Sequence, residues 1–106
     1  MTISATASVP TAHAGKYLQQ LCKHWQHNLA VEFTADHGTV TFPKDARGSD
    51  WPGDGLVTFD AGADALAVRI DASIDGQLEG LKGAVARHLD RFAFREAPLT
   101  FDWQAA

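Results

Sequence analysis

Hydrophobic and polar residues alternate at the start of the chain: Ile3, Ala5, Ala7 and Val9 are separated by Ser4, Thr6 and Ser8. A period of two puts each set on its own side of a strand, so this segment predicts a β-strand with one apolar face. Pro10 ends it, and Thr11 has the side chain of a helix N-cap. The period then lengthens. Ala14, Tyr17, Leu18, Leu21, Cys22, Trp25 and Leu29 recur at helical spacing and predict an amphipathic helix over residues 12–28. Val31, Phe33 and Ala35 alternate with Glu32 and Thr34, and Val40 and Phe42 alternate with Thr39 and Thr41. His37-Gly38 reads as the tight turn joining them into a hairpin. Leu56 to Asp60 and Ala65 to Ala72 predict a second hairpin, with Leu66, Val68 and Ile70 inward. A second helix is expected from Ser73 or Asp75, burying Ile74, Leu78, Leu81, Val85, Leu89 and Phe92. Gly76, Gly80 and Gly83 weaken it, by about 1 kcal/mol for each interior glycine. Pro98 prevents continuation, and Leu99, Phe101 and Trp103 alternate into a final strand.

The order β-α-β-β-β-β-α-β, with one apolar face per element, predicts a single α+β domain over residues 1–106. Two helices pack on one side of a mostly antiparallel sheet, and the other side is left to solvent or a partner. Composition narrows the function. The 106 residues are 45% hydrophobic, which suits a folded globule, and the net charge of -4 argues against a general nucleic-acid binder. No apolar run approaches a membrane span, and Met1 to Ala5 shows no secretory pattern. Cys22 is the single cysteine, so no internal disulfide forms, which fits a cytoplasmic protein.

Two segments concentrate groups that bind ligands. In Leu21 to His27, His24 and His27 stand three apart on one helix flank, a spacing that suits a transition metal. Two ligands are too few, and His37 or His88 completes a site only through tertiary contact. His13 lies about 16 Å further along the helix axis, out of reach. Without a third ligand these are half-exposed, hydrogen-bonded histidines beside a buried Trp25. In the second segment, Arg87, Arg91 and Arg95 are expected to line one flank of the second helix beside His88. Such a row clamps a carboxylate or phosphate, although pairing with Asp90, Glu96 or Asp102 is the plainer expectation. Cys22 sits in the apolar stripe and reads as a small buried hydrophobe. The Gly- and Pro-rich stretch 43–55 carries Asp45, Arg47, Asp50, Trp51 and Asp54 and reads as a long loop with Trp51 as a contact residue.

These blocks carry a resemblance. Tyr17 to Trp25, Val31-Glu32-Phe33 with His37-Gly38, His88 to Glu96, and Leu99-Thr100-Phe101-Asp102-Trp103 resemble the bacterial domain-of-unknown-function family numbered 2218. Members occur as small free-standing proteins and as C-terminal appendages of siderophore-interacting, flavin-dependent ferric-reductase-like proteins. The resemblance implies a TATA-binding-protein-like fold, shared with the terminal domain of phosphohexomutases, and brings no established activity. It points to a non-catalytic accessory or ligand-binding module linked to iron handling, with a ferric chelate or a siderophore-interacting protein as partner. A protein-interaction domain that pairs, as in a homodimer, through its polar sheet face or a sheet edge, and a small metal-dependent enzyme, are the alternatives.

Overall fold

The computed structural model describes residues 2–45 and 48–106. The elements are β1 (Ile3–Pro10), α1 (Ala14–Trp25), β2 (Ala30–Phe33), β3 (His37–Phe42), β4 (Gly55–Ala61), β5 (Ala65–Ala72), α2 (Asp75–Phe92) and β6 (Gln104–Ala105). The strands form one six-stranded sheet in the order β2-β3-β4-β5-β1-β6, every pair antiparallel. Both helices cover the same face. There Val9, Val40, Val57, Phe59, Val68 and Ile70 of the sheet meet Leu18, Leu21 and Trp25 of α1 and Leu81, Val85 and Leu89 of α2 in one buried cluster. On the opposite face Ser8, Asp60, Ala67 and Arg69 are exposed. This is the one-sided α+β layer that the alternation predicts. Among the described residues no helix is long and apolar enough to cross a membrane.

Register shows how side-chain size is distributed. One cross-strand row on the core face reads Ala7, Val68, Phe59, Gly38, Phe33. Gly38 stands where α1 comes closest to this row, so it must be small. A Cβ on Gly38 would stand 2.8 Å from the Cys22 sulfur. His37 and Gly38 therefore open β3 instead of forming the turn. The turn is made by residues 34–36, closed by the Thr34 N–H donating to the His37 carbonyl at 2.7 Å. Gly38 serves close approach, not chain reversal.

Four other boundaries differ from the sequence reading. The first helix is shorter than 12–28. The Thr11 hydroxyl accepts from the His13 N–H at 3.1 Å, and the Asn28 and Leu29 N–H groups both turn back to the Trp25 carbonyl. Ile74 is 41% exposed, because it is the extended residue preceding α2 and not part of its buried stripe. Gln77 takes the buried place instead. The helix ends at Phe92, so Arg95 lies beyond it over the ring of Phe94, and the three arginines do not form one helical row. The last strand is only Gln104–Ala105. Leu99, Phe101 and Trp103 do pack on the core, but the Leu99 N–H donates to Asp90 Oδ1 at 2.9 Å instead of to a strand partner.

The segment after α2 also carries a carboxylate that ties it to α1 and to Thr11. Glu96 accepts hydrogen bonds from the Tyr17 hydroxyl of α1 and from the Thr11 hydroxyl at 3.0 Å. The Tyr17 bond does most to hold the Glu96 carboxyl below its ordinary 4.5; burial opposes this, while the Thr11 bond and the charge of His13 add to it. The same bond, with burial and the Glu96 charge behind it, raises the Tyr17 phenol above 10.0, and Arg95 opposes. A depressed carboxylate stabilises the fold above its unfolded pKa, and that contribution is lost as pH falls through the folded value. The thermal midpoint should therefore fall on acidification below 4.5. In Glu96→Gln the midpoint should be lower at neutral pH and that part of the acid slope absent. An unchanged slope in melts from pH 7 to pH 3 would show that the Glu96 link contributes nothing.

Candidate functional site

A cleft of about 560 Å³ opens between α1, α2 and the β3–β4 connection. The C-terminal end of α1 supplies His24 and Trp25, and the turn after it Asn28 and Leu29. The end of β3 and the following loop supply Phe42, Pro43, Asp45, Ser49 and Trp51. Helix α2 supplies Gln77, Gly80, Leu81, Ala84, Arg87 and His88. The positions 77, 81, 84 and 88 follow one helical row, and 76, 80, 83 and 87 the next, so α2 turns two adjacent rows toward this side. The volume lies within the range of small-molecule sites.

The loop wall is held by hydrogen bonds to α2. Gln77 is 3% exposed, and all of its side-chain groups are used. Its Oε1 accepts from the Ser73 N–H at 2.7 Å and from the Ser73 hydroxyl at 2.6 Å, while its Nε2 donates to the Gly53 carbonyl at 2.9 Å. Within the loop, the Trp51 N–H donates to the Lys44 carbonyl and the Lys44 N–H to Asp54 Oδ1 at 2.8 Å. Trp51 rests its six-membered ring on Gly76, where a Cβ would be 3.2 Å from Cζ3. A side chain at 76 would push the indole away.

The opposite end of the cleft is basic. The Nδ1 of His88 is 2.7 Å from the Ala84 carbonyl, which can only accept, so Nδ1 carries a proton. Neutral His88 then keeps its lone pair on Nε2. Its ring lies 5.1 Å from Trp25 and 5.6 Å from His24, and His24 is also 5.7 Å from Phe92. The pKa of His24 is lowered, first by desolvation and then by the charges of His88, Arg91 and His27. Arg87 on the cleft wall and Arg91 near His24 bring permanent positive charge to this rim whether or not His24 is protonated.

The acids expected to neutralise the arginines are engaged elsewhere. Asp90 holds the Leu99 N–H, Glu96 holds Tyr17 and Thr11, and Asp102 accepts from Gln104 Nε2. Among the described residues the ion pairs are His37–Asp60, Arg69–Asp71 and Lys82–Glu79, and none includes Arg87 or Arg91. Arg87 instead folds along its own helix, with Nη1 2.9 Å from where a Gly83 Cβ would be.

Of the predicted site residues, the cleft unites His24, Trp51, Arg87 and His88. Arg91 and His27 act on His24 only through their charge. His37 is elsewhere, 2.6 Å from Asp60 of the neighbouring strand. The partner His24 meets is thus His88, not His37, and among the described residues no three His, Cys, Asp or Glu side chains are grouped to hold a metal. Cys22 is fully buried, and desolvation pushes its thiol up to about 11. Arg47 lies outside the described residues. The sequence reading missed Gln77 and the role of the glycines. The visible signal was a polar residue on the buried stripe and glycines at 76, 80 and 83, which share one row of the helix.

A model of the family described as an uncharacterized protein conserved in bacteria, DUF2218, matches residues 6–104. The chain belongs to DUF2218. The match includes every residue of the cleft. The NMR structure of PA4090 from Pseudomonas aeruginosa is similar to this DUF2218 chain, with a TM-score of 0.73 and 28% identity. The likeness covers 96% of this chain and 95% of that one. No curated protein matches.

Proposed function

We propose that this DUF2218 domain is a non-catalytic module that binds a small anionic molecule in the cleft. The observation that carries the reading is Arg87: a permanent cation beside an aromatic-lined cleft, with no acid partner among the described residues. Small-molecule sites combine apolar walls with a few polar groups that fix orientation, and guanidinium is the side chain best matched to a carboxylate or phosphate. Asp45 stands on the loop wall and disfavours anions placed at that end. Acidic ferric chelates, which the occurrence of such domains as appendages of siderophore-interacting proteins would suggest, fall within this class.

The test is a titration of the purified protein with citrate, ferric citrate and a ferric catecholate chelate, followed by calorimetry and by tryptophan fluorescence. Saturable binding of at least one is expected. A hydrogen bond to a charged group contributes about 1.5–3 kcal/mol, so Arg87→Ala should weaken binding by about 10-fold or more. Its thermal midpoint should barely move, since Arg87 is exposed and outside every ion pair among the described residues. No saturable binding by any of the three, or equal affinity in Arg87→Ala, would overturn the reading.

A further inference from the structure

The cleft has a floor whose shape restricts what it holds. Along α2 the row Gly76, Gly80, Gly83, Arg87 lies on one side of the helix. Gly76 is covered by the Trp51 indole and Gly83 by the Arg87 guanidinium. Gly80 lies between them and lines the cleft, and a Cβ there would meet nothing within 4 Å. Bare helix backbone thus faces the cleft at Gly80, with an indole edge on one side of it and a cation on the other. At 1.5 Å per residue the two seats are about 10 Å apart along the axis. Trp25, Phe42 and Leu81 supply the apolar surroundings.

We propose that the ligand is a flat aromatic anion, its ring lying on the Gly80 backbone beside Trp51 and its carboxylate or other anionic group meeting Arg87. The inference rests on the cleft being a ligand site and adds the class of molecule. A planar ring can approach bare backbone where a branched or saturated group cannot, and its edge and face both pack well against indole. The anion then falls at the basic end, away from Asp45. Gly80 is the specificity-determining residue, because its missing side chain makes the room.

The test uses 2-naphthoate, its neutral counterpart 2-naphthamide, and decahydronaphthalene-2-carboxylate, which keeps the charge and loses the flatness. Affinities are measured by calorimetry and tryptophan quenching for the wild type, Gly80→Ala and Gly80→Leu. Naphthoate is expected to bind at least tenfold more tightly than either counterpart. Gly80→Leu should weaken it at least tenfold, and Gly80→Ala by less, while both raise the thermal midpoint because alanine and leucine favour helix over glycine. A loss of binding with a gain in stability separates a blocked floor from a damaged fold. Equal binding of the saturated acid, or full affinity in Gly80→Leu, would overturn the inference. If citrate binds through Arg87 and naphthoate does not, the aromatic class is wrong and the anion site stands. If naphthoate, citrate and both ferric chelates all fail to bind, both fall.

Discussion

Phe59→Ala is expected to destabilise the domain by about 3–5 kcal/mol, the usual loss for removing a buried phenylalanine. Phe59 is fully buried on the core face of β4. It pairs with Val68 on one side and Gly38 on the other, and its ring centroid is 6.4 Å from that of Trp25. The neighbours cannot collapse into the space. Gly38 has no side chain to move, and β4 is held between β3 and β5 in the middle of the sheet. Trp25 can tilt, but only by giving up its edge-on contact with Phe42, 5.0 Å away between centroids. A domain of this size loses about 4 °C or more of thermal midpoint per kcal/mol, so a fall of at least about 12 °C is expected in a melt followed by circular dichroism. A loss below about 1 kcal/mol would mean that this ring is not enclosed between sheet and helices.

Phe59 was not singled out by the sequence pattern, because the adjacent apolar pair Leu56-Val57 blurs the alternation of its strand. Alternation in β1 and β5, and the helical spacing of Tyr17 to Trp25 and Leu78 to Leu89, state which side of each element is buried. Once every element has one apolar side, a single shared layer follows. Local patterns cannot register contacts between distant segments. Gly38 looked like a turn residue because the need for its missing Cβ comes from Cys22 on another element. Ile74 looked buried because periodicity says nothing of where a helix begins. Gln77, polar on a greasy stripe, was not singled out, because its partners lie at Ser73 and at Gly53. The cleft was legible in pieces: His24, Trp51, Arg87 and His88 were each singled out, but in three separate segments. What brings them together is the packing of α1 against α2 and the return of the β3–β4 loop over the start of α2. The glycines of α2 show the same limit. Propensity reads them as a cost to the helix, whereas the structure uses the bare backbone as seats for Trp51 and Arg87.

That dependence of the cleft on the loop makes Gln77 the most informative substitution outside the site's cationic end. Gln77→Ala removes one donor and one acceptor from a buried position and leaves the Gly53 carbonyl and the Ser73 N–H without their partner. Buried groups orphaned in this way cost about 1–3 kcal/mol each, so a loss of about 2–4 kcal/mol is expected after some rehydration. The damage should also be local. Gly53 follows Trp51 by two residues, so freeing its carbonyl loosens the indole's seat on Gly76, and Trp51 emission should shift to the red. Gln77→Glu separates hydrogen bonding from packing. The carboxylate keeps an acceptor for Ser73 but faces the Gly53 carbonyl with no proton to donate. Burial then raises the pKa of the introduced acid. A folded pKa above the unfolded one means that stability is present at low pH and is lost as pH rises through the folded value, opposite in sign to the effect of Glu96. Gln77→Glu should therefore be weakest at neutral pH and recover toward the wild type on mild acidification, as the protonated carboxyl regains the donor for Gly53. Equal deficits for Gln77→Glu at pH 5 and pH 8, in denaturation curves at both values, would show that the loop is fixed by packing alone.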